Sequence, residues 1–178
     1  MKIREKKYED IRETVLLGNI FWDETYRGIV DDEFLDNMPN TVEERVLKQQ
    51  TKYKNDEYKD IYNFVMEDNG KIIGVTSSEK SRDEDYPNSG EVGSLYLLKE
   101  YQGKGLGKEL LNYAVNKLKE LGYNDYIIGC LDGNPTNEFY KHMGGKLYKK
   151  VYRKIGDKDY LENYYHFEMR WLYEIRIL

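Results

Sequence analysis

The residues of this chain that could do chemistry cluster in two stretches. The first is Glu91 to Gly107, EVGSLYLLKEYQGKGLG. Gly103, Gly105 and Gly107 stand at every second position, with Lys104 and Lys108 between and after them. They follow the apolar run Leu95-Tyr96-Leu97-Leu98. Leu106, Leu110, Leu111, Ala114, Leu118 and Leu121 then recur at helical period, so a helix starts inside the glycines. The first amides of a helix have no partner within it and carry partial positive charge. With no β-carbons in the way, an anion lies directly on such a backbone. The chemistry is phosphate binding, with lysines adding charge. The Rossmann spacing G-x-G-x-x-G is not matched, and the closing Lys-Ser/Thr of a Walker loop is missing. The second stretch is Asn134-Pro-Thr-Asn-Glu-Phe-Tyr140. Read alone, Asn134 is a helix N-cap and Tyr140 an aromatic core residue beside Phe139. Cys130, on an apolar strand, reads as buried and inert. His142 and His166 have no metal-ligand partners at useful spacing. His142 is expected exposed on a helix and His166 outward on a strand, and no metal is expected.

These residues need elements to hold them. A strand over residues 2–6 and a helix from about Tyr8 to Phe21 come first. Thr41-x-x-Glu44 reads as a capping box opening a second helix that bears Val42, Val46 and Tyr53. Ile61–Glu67 and Lys71–Ser77 are strands joined by a tight Asn69-Gly70 turn. A polar loop, Arg82 to Gly90, precedes the glycine stretch. Gly122 ends its helix. Tyr126–Leu131 is a strand, the Asn134 helix follows, and Gly144-Gly145 stops it. Lys146–Ile155 is a strand, and Gly156-Asp157 turns the chain. From Tyr165 the alternation is strong. Tyr165, Phe167, Met169, Trp171 and Tyr173 share one face, and His166, Glu168, Arg170 and Glu174 the other. No repeat or linker interrupts this order, so residues 1–178 are expected to form a single domain.

The Gln102-Gly-Lys-Gly105-Leu-Gly107 loop after an apolar strand resembles the acetyl-CoA pyrophosphate loop of the GNAT N-acetyltransferase superfamily. The element order β-α-α-β-β-β-α-β-α-β-β is similar to that family's over about residues 2–170, with its specific part in residues 91–145. The resemblance implies an α/β (α+β) fold: a mixed, mostly antiparallel sheet of six or seven strands, helices on both faces, and a splayed central strand pair holding the cofactor. It implies an acetyl-CoA-dependent N-acetyltransferase that transfers acetyl to a primary amine by direct attack in a ternary complex. Backbone groups of Leu95, Tyr96 and Leu97 would meet pantetheine and the thioester. Gln102, Gly103, Lys104, Gly105, Leu106, Gly107 and Lys108 would hold the pyrophosphate.

The segment through Tyr140 resembles the family's Asn-Pro-x-x-x-Phe-Tyr run. Tyr140 would then protonate the departing thiolate, and Asn134 would contact the cofactor. Asn134 to Tyr140 is one residue shorter than the frequent family spacing. The strand glutamate some members use as a base, five positions before the Asn, is Gly129 here. Glu91 is the remaining local candidate for the base, acting through water, on the face of Leu95 if the strand is regular. Trp22-x-x-x-Tyr26-Arg-Gly resembles a segment of uncharacterised bacterial members. Trp22 and Tyr26 would form an aromatic wall for a cationic amine in the α1–α2 loop, with Asp23 or Glu24 to pair with it.

Composition bounds the rest. The chain has 178 residues, 34% charged, 39% apolar, net charge −5 and a single cysteine. It has no run of roughly 20 apolar residues and no secretory leader, so a cytoplasmic protein with no membrane partner is expected. The negative charge argues against nucleic acid as a partner and favours an amine, either a small molecule or on a peptide. An apolar-faced C-terminal strand at a sheet edge would pair two copies into a homodimer. Two alternatives stay open: a CoA or acyl-CoA sensor module without transferase activity, allowed by the missing strand glutamate, and a nucleotide-binding domain of another kind.

Overall fold

A tight hairpin fixes the register of the sheet. Asn69 (φ 49°) and Gly70 (φ 81°) both lie in the left-handed region, as a two-residue turn between right-twisted strands requires. They join β2 (Ile61–Asp68) to β3 (Lys71–Lys80). The computed structural model describes residues 1–169. The remaining elements are β1 (Lys2–Glu5), α1 (Ile11–Tyr26), α2 (Asp32–Asn37), α3 (Val42–Lys54), β4 (Gly90–Leu97), α4 (Leu106–Glu120), β5 (Asp125–Leu131), α5 (Thr136–His142), β6 (Lys146–Ile155) and β7 (Lys158–Glu168). Among the described residues the sheet has seven strands in the order β1-β2-β3-β4-β5-β7-β6. Of its neighbouring strand pairs there, only β4 and β5 run parallel.

Helices cover both faces. Gly74 and Leu97, paired across β3 and β4, lie against Leu110 of α4. Their strand neighbours point the opposite way, and Tyr96 stacks on Phe21 of α1. Leu110, Leu111 and Leu118 of α4 are fully buried. Burial of each contributes about 1.5–3 kcal/mol. On the other side, Ile11 and Val15 of α1 pack on Val42 and Val46 of α3.

Several local expectations are corrected. α1 runs on to Tyr26, so Trp22 and Tyr26 stand on its last turns rather than in a loop. α2 is one short helix more than the periodicity revealed, because six residues are too few to show a period. The Thr41 capping box does not form. Thr41 ends a 3-10 turn and its hydroxyl donates to the Met38 carbonyl instead. His166 does not face outward: it stacks on Tyr86 and meets Asp125 at 2.9 Å. The last strand starts at Lys158 and is paired on both sides, by β5 and β6, from Glu162 to His166. Over those residues it is an inner strand, not the sheet edge that the homodimer expectation needs. Arg170, Trp171, Tyr173 and Glu174 lie outside the described residues.

Candidate active site

The centre of the sheet opens into a wedge. β4 and β5 pair only at Gly90 with Tyr126 and Glu91 with Ile127. Beyond that the strands part, leaving the β4 edge from Val92 to Leu97 without a strand partner toward β5. A cavity of about 480 Å³ fills the gap, lined along β4 by Glu91 to Leu97 and along β5 by Ile128 to Leu131. Expected site residues Trp22, Tyr26, Glu91, Leu95, Tyr96, Leu97, Gln102, Asn134 and Tyr140 all line it.

The glycine loop lies next to Gln102, at the start of α4, and is exposed. Gly105 is the residue before the helix, with φ +82°. It has no side chain to cap the amides that follow, and the first of them satisfied within the helix is that of Glu109, on the Gly105 carbonyl. A β-carbon on Gly103, Gly105 or Gly107 would meet nothing within 4 Å. Unpaired helix-start amides under open space fit a diphosphate. Two loop residues contribute less than expected. The Leu106 side chain is buried with Leu110, so only its backbone faces out. The Lys104 ammonium folds back to the Glu100 carbonyl at 2.8 Å and lies over the Tyr101 ring. Gln102 Nε2 donates to the Leu97 carbonyl at 2.9 Å, tying the loop to the end of β4.

Tyr140 stands at the wedge wall, 4% exposed, among Phe139, Tyr165 and Phe167. Burial raises its phenol well above the ordinary tyrosine range, so it stays protonated at neutral pH. Asn134 stands one residue before the cap position of α5, which is Pro135, and its Oδ1 accepts from the Thr136 amide at 2.9 Å. Buried Asn137 fixes the same turn. Its amide donates to the Leu131 and Asn134 carbonyls, and its Oδ1 accepts from Asn163 and Tyr165. Cys130 is buried, and burial pushes its thiol up to about 12, as an inert cysteine should be.

The acidic side of the cavity differs most from expectation. β4 is not regular, since Val92 and Gly93 together stand opposite Ser78 in a bulge. Leu95 consequently packs in the clusters that hold Val92 and Leu110, on the α4 face, while Glu91 lies across from Glu79 on the other. Glu91 is held by Arg82 at 2.8 Å. Asp23 pairs with Arg27, and Glu24 accepts from the Lys99 amide at 3.0 Å, so neither reaches the cavity.

A second carboxylate was missed altogether. Glu162 of β7, 5% exposed, lines the cavity and is bound by Arg153 at 2.9 Å and by the Tyr164 hydroxyl at 3.1 Å. It sits beside Gly129, where a β-carbon would come within 2.9 Å of its Oε1. Gly93 on β4 makes room in the same way for the carboxylate of Glu79, which burial pushes up. Its one local trace is an acid and an amide, Glu162-Asn163, interrupting an aromatic strand, which does not say what they face.

The chain matches the acetyltransferase (GNAT) family over residues 19–144. It belongs to that family. The family is one of acetyltransferases, and the mixed, mostly antiparallel sheet with its helices is the family's fold. The chain is similar to an uncharacterised N-acetyltransferase, YuaI, of Bacillus subtilis, 26% identical over 78% of this chain and 76% of that one. Among solved structures it resembles PaiA N-acetyltransferase of Thermoplasma acidophilum in complex with coenzyme A, with TM-score 0.69 and 23% identity over 91% of this chain and 96% of that one. It also resembles YncA of Salmonella typhimurium, a putative acetyltransferase with its cofactor acetyl-CoA. There the TM-score is 0.64, with 18% identity over 96% and 94%. Among the described residues, no group of His, Cys, Asp and Glu is arranged to hold a metal, and no helix is long and apolar enough to cross a membrane.

Proposed function

We propose that this GNAT-family chain is a single-domain, cytoplasmic, acetyl-CoA-dependent N-acetyltransferase acting on a primary amine, free or on a peptide. The observation that carries the proposal is the wedge between β4 and β5, with unpaired helix-start amides at its cofactor end and buried carboxylates on its acceptor side. Acetyl-CoA supplies the acetyl group as an activated thioester. The amides from Gly105 to Lys108 would hold its diphosphate, and Gln102 fixes the loop that carries them. The unpaired β4 edge at Leu95–Leu97 would present amide hydrogens to the carbonyl oxygen where negative charge develops. Tyr140, kept protonated by burial, would donate its proton to the leaving sulfur. Trp22 and Tyr26 would wall the acceptor side. Holding both partners in one cleft replaces a bimolecular encounter by direct attack within a ternary complex.

The test is an amine panel with acetyl-CoA, read as free CoA thiol with the acetylated product identified by mass. Release of thiol in step with product supports transfer. Binding of acetyl-CoA with no transfer to any amine would make the chain a CoA sensor instead.

A further inference from the structure

Granted that the site acetylates an amine, we propose that Glu162 of β7 binds the acceptor ammonium and takes its proton, in place of the carboxylate that β5 lacks at Gly129. Three observations converge on this. Glu162 is buried yet lines the cavity, so its carboxylate faces the wedge rather than bulk water. It pairs across the sheet with Leu131, next to the point where β5 turns toward Asn134 and Tyr140. Its Oε1 lies 2.9 Å from where a β-carbon on residue 129 would stand, closer than real β-carbons come, so the missing side chain of Gly129 is what admits it. A carboxylate reaching in from the neighbouring strand thus occupies the space beside β5 that a side chain at position 129 would enter.

The groups around it suit this role. Arg153 on β6 holds one oxygen in place, but its side chain is 57% exposed, so the pair is open to an incoming ammonium. Tyr164 donates to the other oxygen. Tyr96 and Cys130, both neutral at pH 7, also interact with this group. Glu91, held by Arg82, lies opposite Ile127 at the closed end of the wedge, whereas Glu162 lies level with Leu131 at its open end.

The proton count closes. The ammonium gives one proton to Glu162, which passes it to water. The freed nitrogen lone pair forms the N–C bond as the C–S bond breaks and its electrons leave on sulfur. Tyr140 protonates the sulfur, and the second proton lost by nitrogen returns to Tyr140. One proton is released per turnover.

The experiment compares wild type, Glu162→Gln, Glu162→Asp and Gly129→Ala, using the best amine from the panel and checking each fold by thermal melting. Wild type should hold kcat/KM nearly flat between about pH 6 and 8, because the enzyme removes the proton itself. E162Q should lose ~100-fold at pH 7, bind acetyl-CoA as wild type does, and rise about tenfold per pH unit, following the free amine. E162D should recover part of the loss. G129A keeps the carboxylate but crowds it, and should lose ~10-fold, with no further loss when added to E162Q. Wild-type kcat/KM and pH dependence in E162Q, or fully additive losses in the double variant, would overturn the role of Glu162. A wild-type protein that transfers acetyl to no amine would instead overturn the transferase reading beneath it.

Discussion

The hydroxyls of Tyr26 and Tyr96 meet at 3.1 Å, tying the last turn of α1 to the open edge of β4. This bond joins the helix that walls one side of the cavity to the strand that lines it. Burial raises both phenols, so the pair remains a neutral hydrogen bond through neutral pH. Tyr26→Phe strands the Tyr96 hydroxyl and should cost about 1–2 kcal/mol. In a chain of this size that is a melting-temperature drop of roughly 2–8 °C. Acetyl-CoA affinity should hold while the KM for the amine rises, which steady-state kinetics separates from calorimetric binding.

Gly105 carries the second prediction. Its φ of +82° strains a β-branched residue, at about 1–2 kcal/mol, and a valine there would put side-chain atoms into the open space of the loop at the helix start. Gly105→Val should lower acetyl-CoA affinity at least tenfold while the protein stays folded, as circular dichroism would confirm.

Tyr140→Phe removes the proposed proton donor and leaves the aromatic packing with Phe139, Tyr165 and Phe167. Turnover should fall by about 10²-fold with acetyl-CoA affinity unchanged. Unchanged turnover would reject the role.

The glycine loop was legible in the sequence because its physics is local. Glycine spacing, an apolar strand before it and leucines at helical period after it lie within one stretch of chain, and each points to the same loop. The hairpin at Asn69-Gly70 and the stop at Gly122 were legible for the same reason. The acceptor side was not, because it is assembled from distant strands. Glu162 reaches the cavity only through the pairing of β7 with β5, and nothing near residue 162 announces that Gly129 will lie beside it. The bulge at Val92-Gly93 depends on β3, so alternation alone put Glu91 on the wrong face relative to Leu95. Trp22 and Tyr26 do line the cavity but were expected in a loop, since aromatic residues near a Gly-ended segment hide the continuation of α1.

Acid should weaken the fold at the β1 end. Arg4 binds Asp10 through two nitrogens, at 2.6 and 2.9 Å, and also holds Glu67. Its guanidinium is the main cause that keeps the Asp10 carboxyl below its ordinary value. A depressed carboxylate stabilises the fold above its unfolded pKa of about 3.9, and that contribution is lost as pH falls through the folded value. Chemical unfolding measured from pH 7 to pH 3 should show stability falling below about pH 4, and Arg4→Met should flatten that limb while lowering stability at pH 7.

Calorimetric titration of acetyl-CoA into the folded protein, beside Gly105→Val, tests the central claim most directly. Saturable heat at micromolar to millimolar cofactor with one site per chain, weakened at least tenfold in the variant, is the predicted result. No heat in the folded wild-type protein, or equal binding by the two proteins, would contradict it.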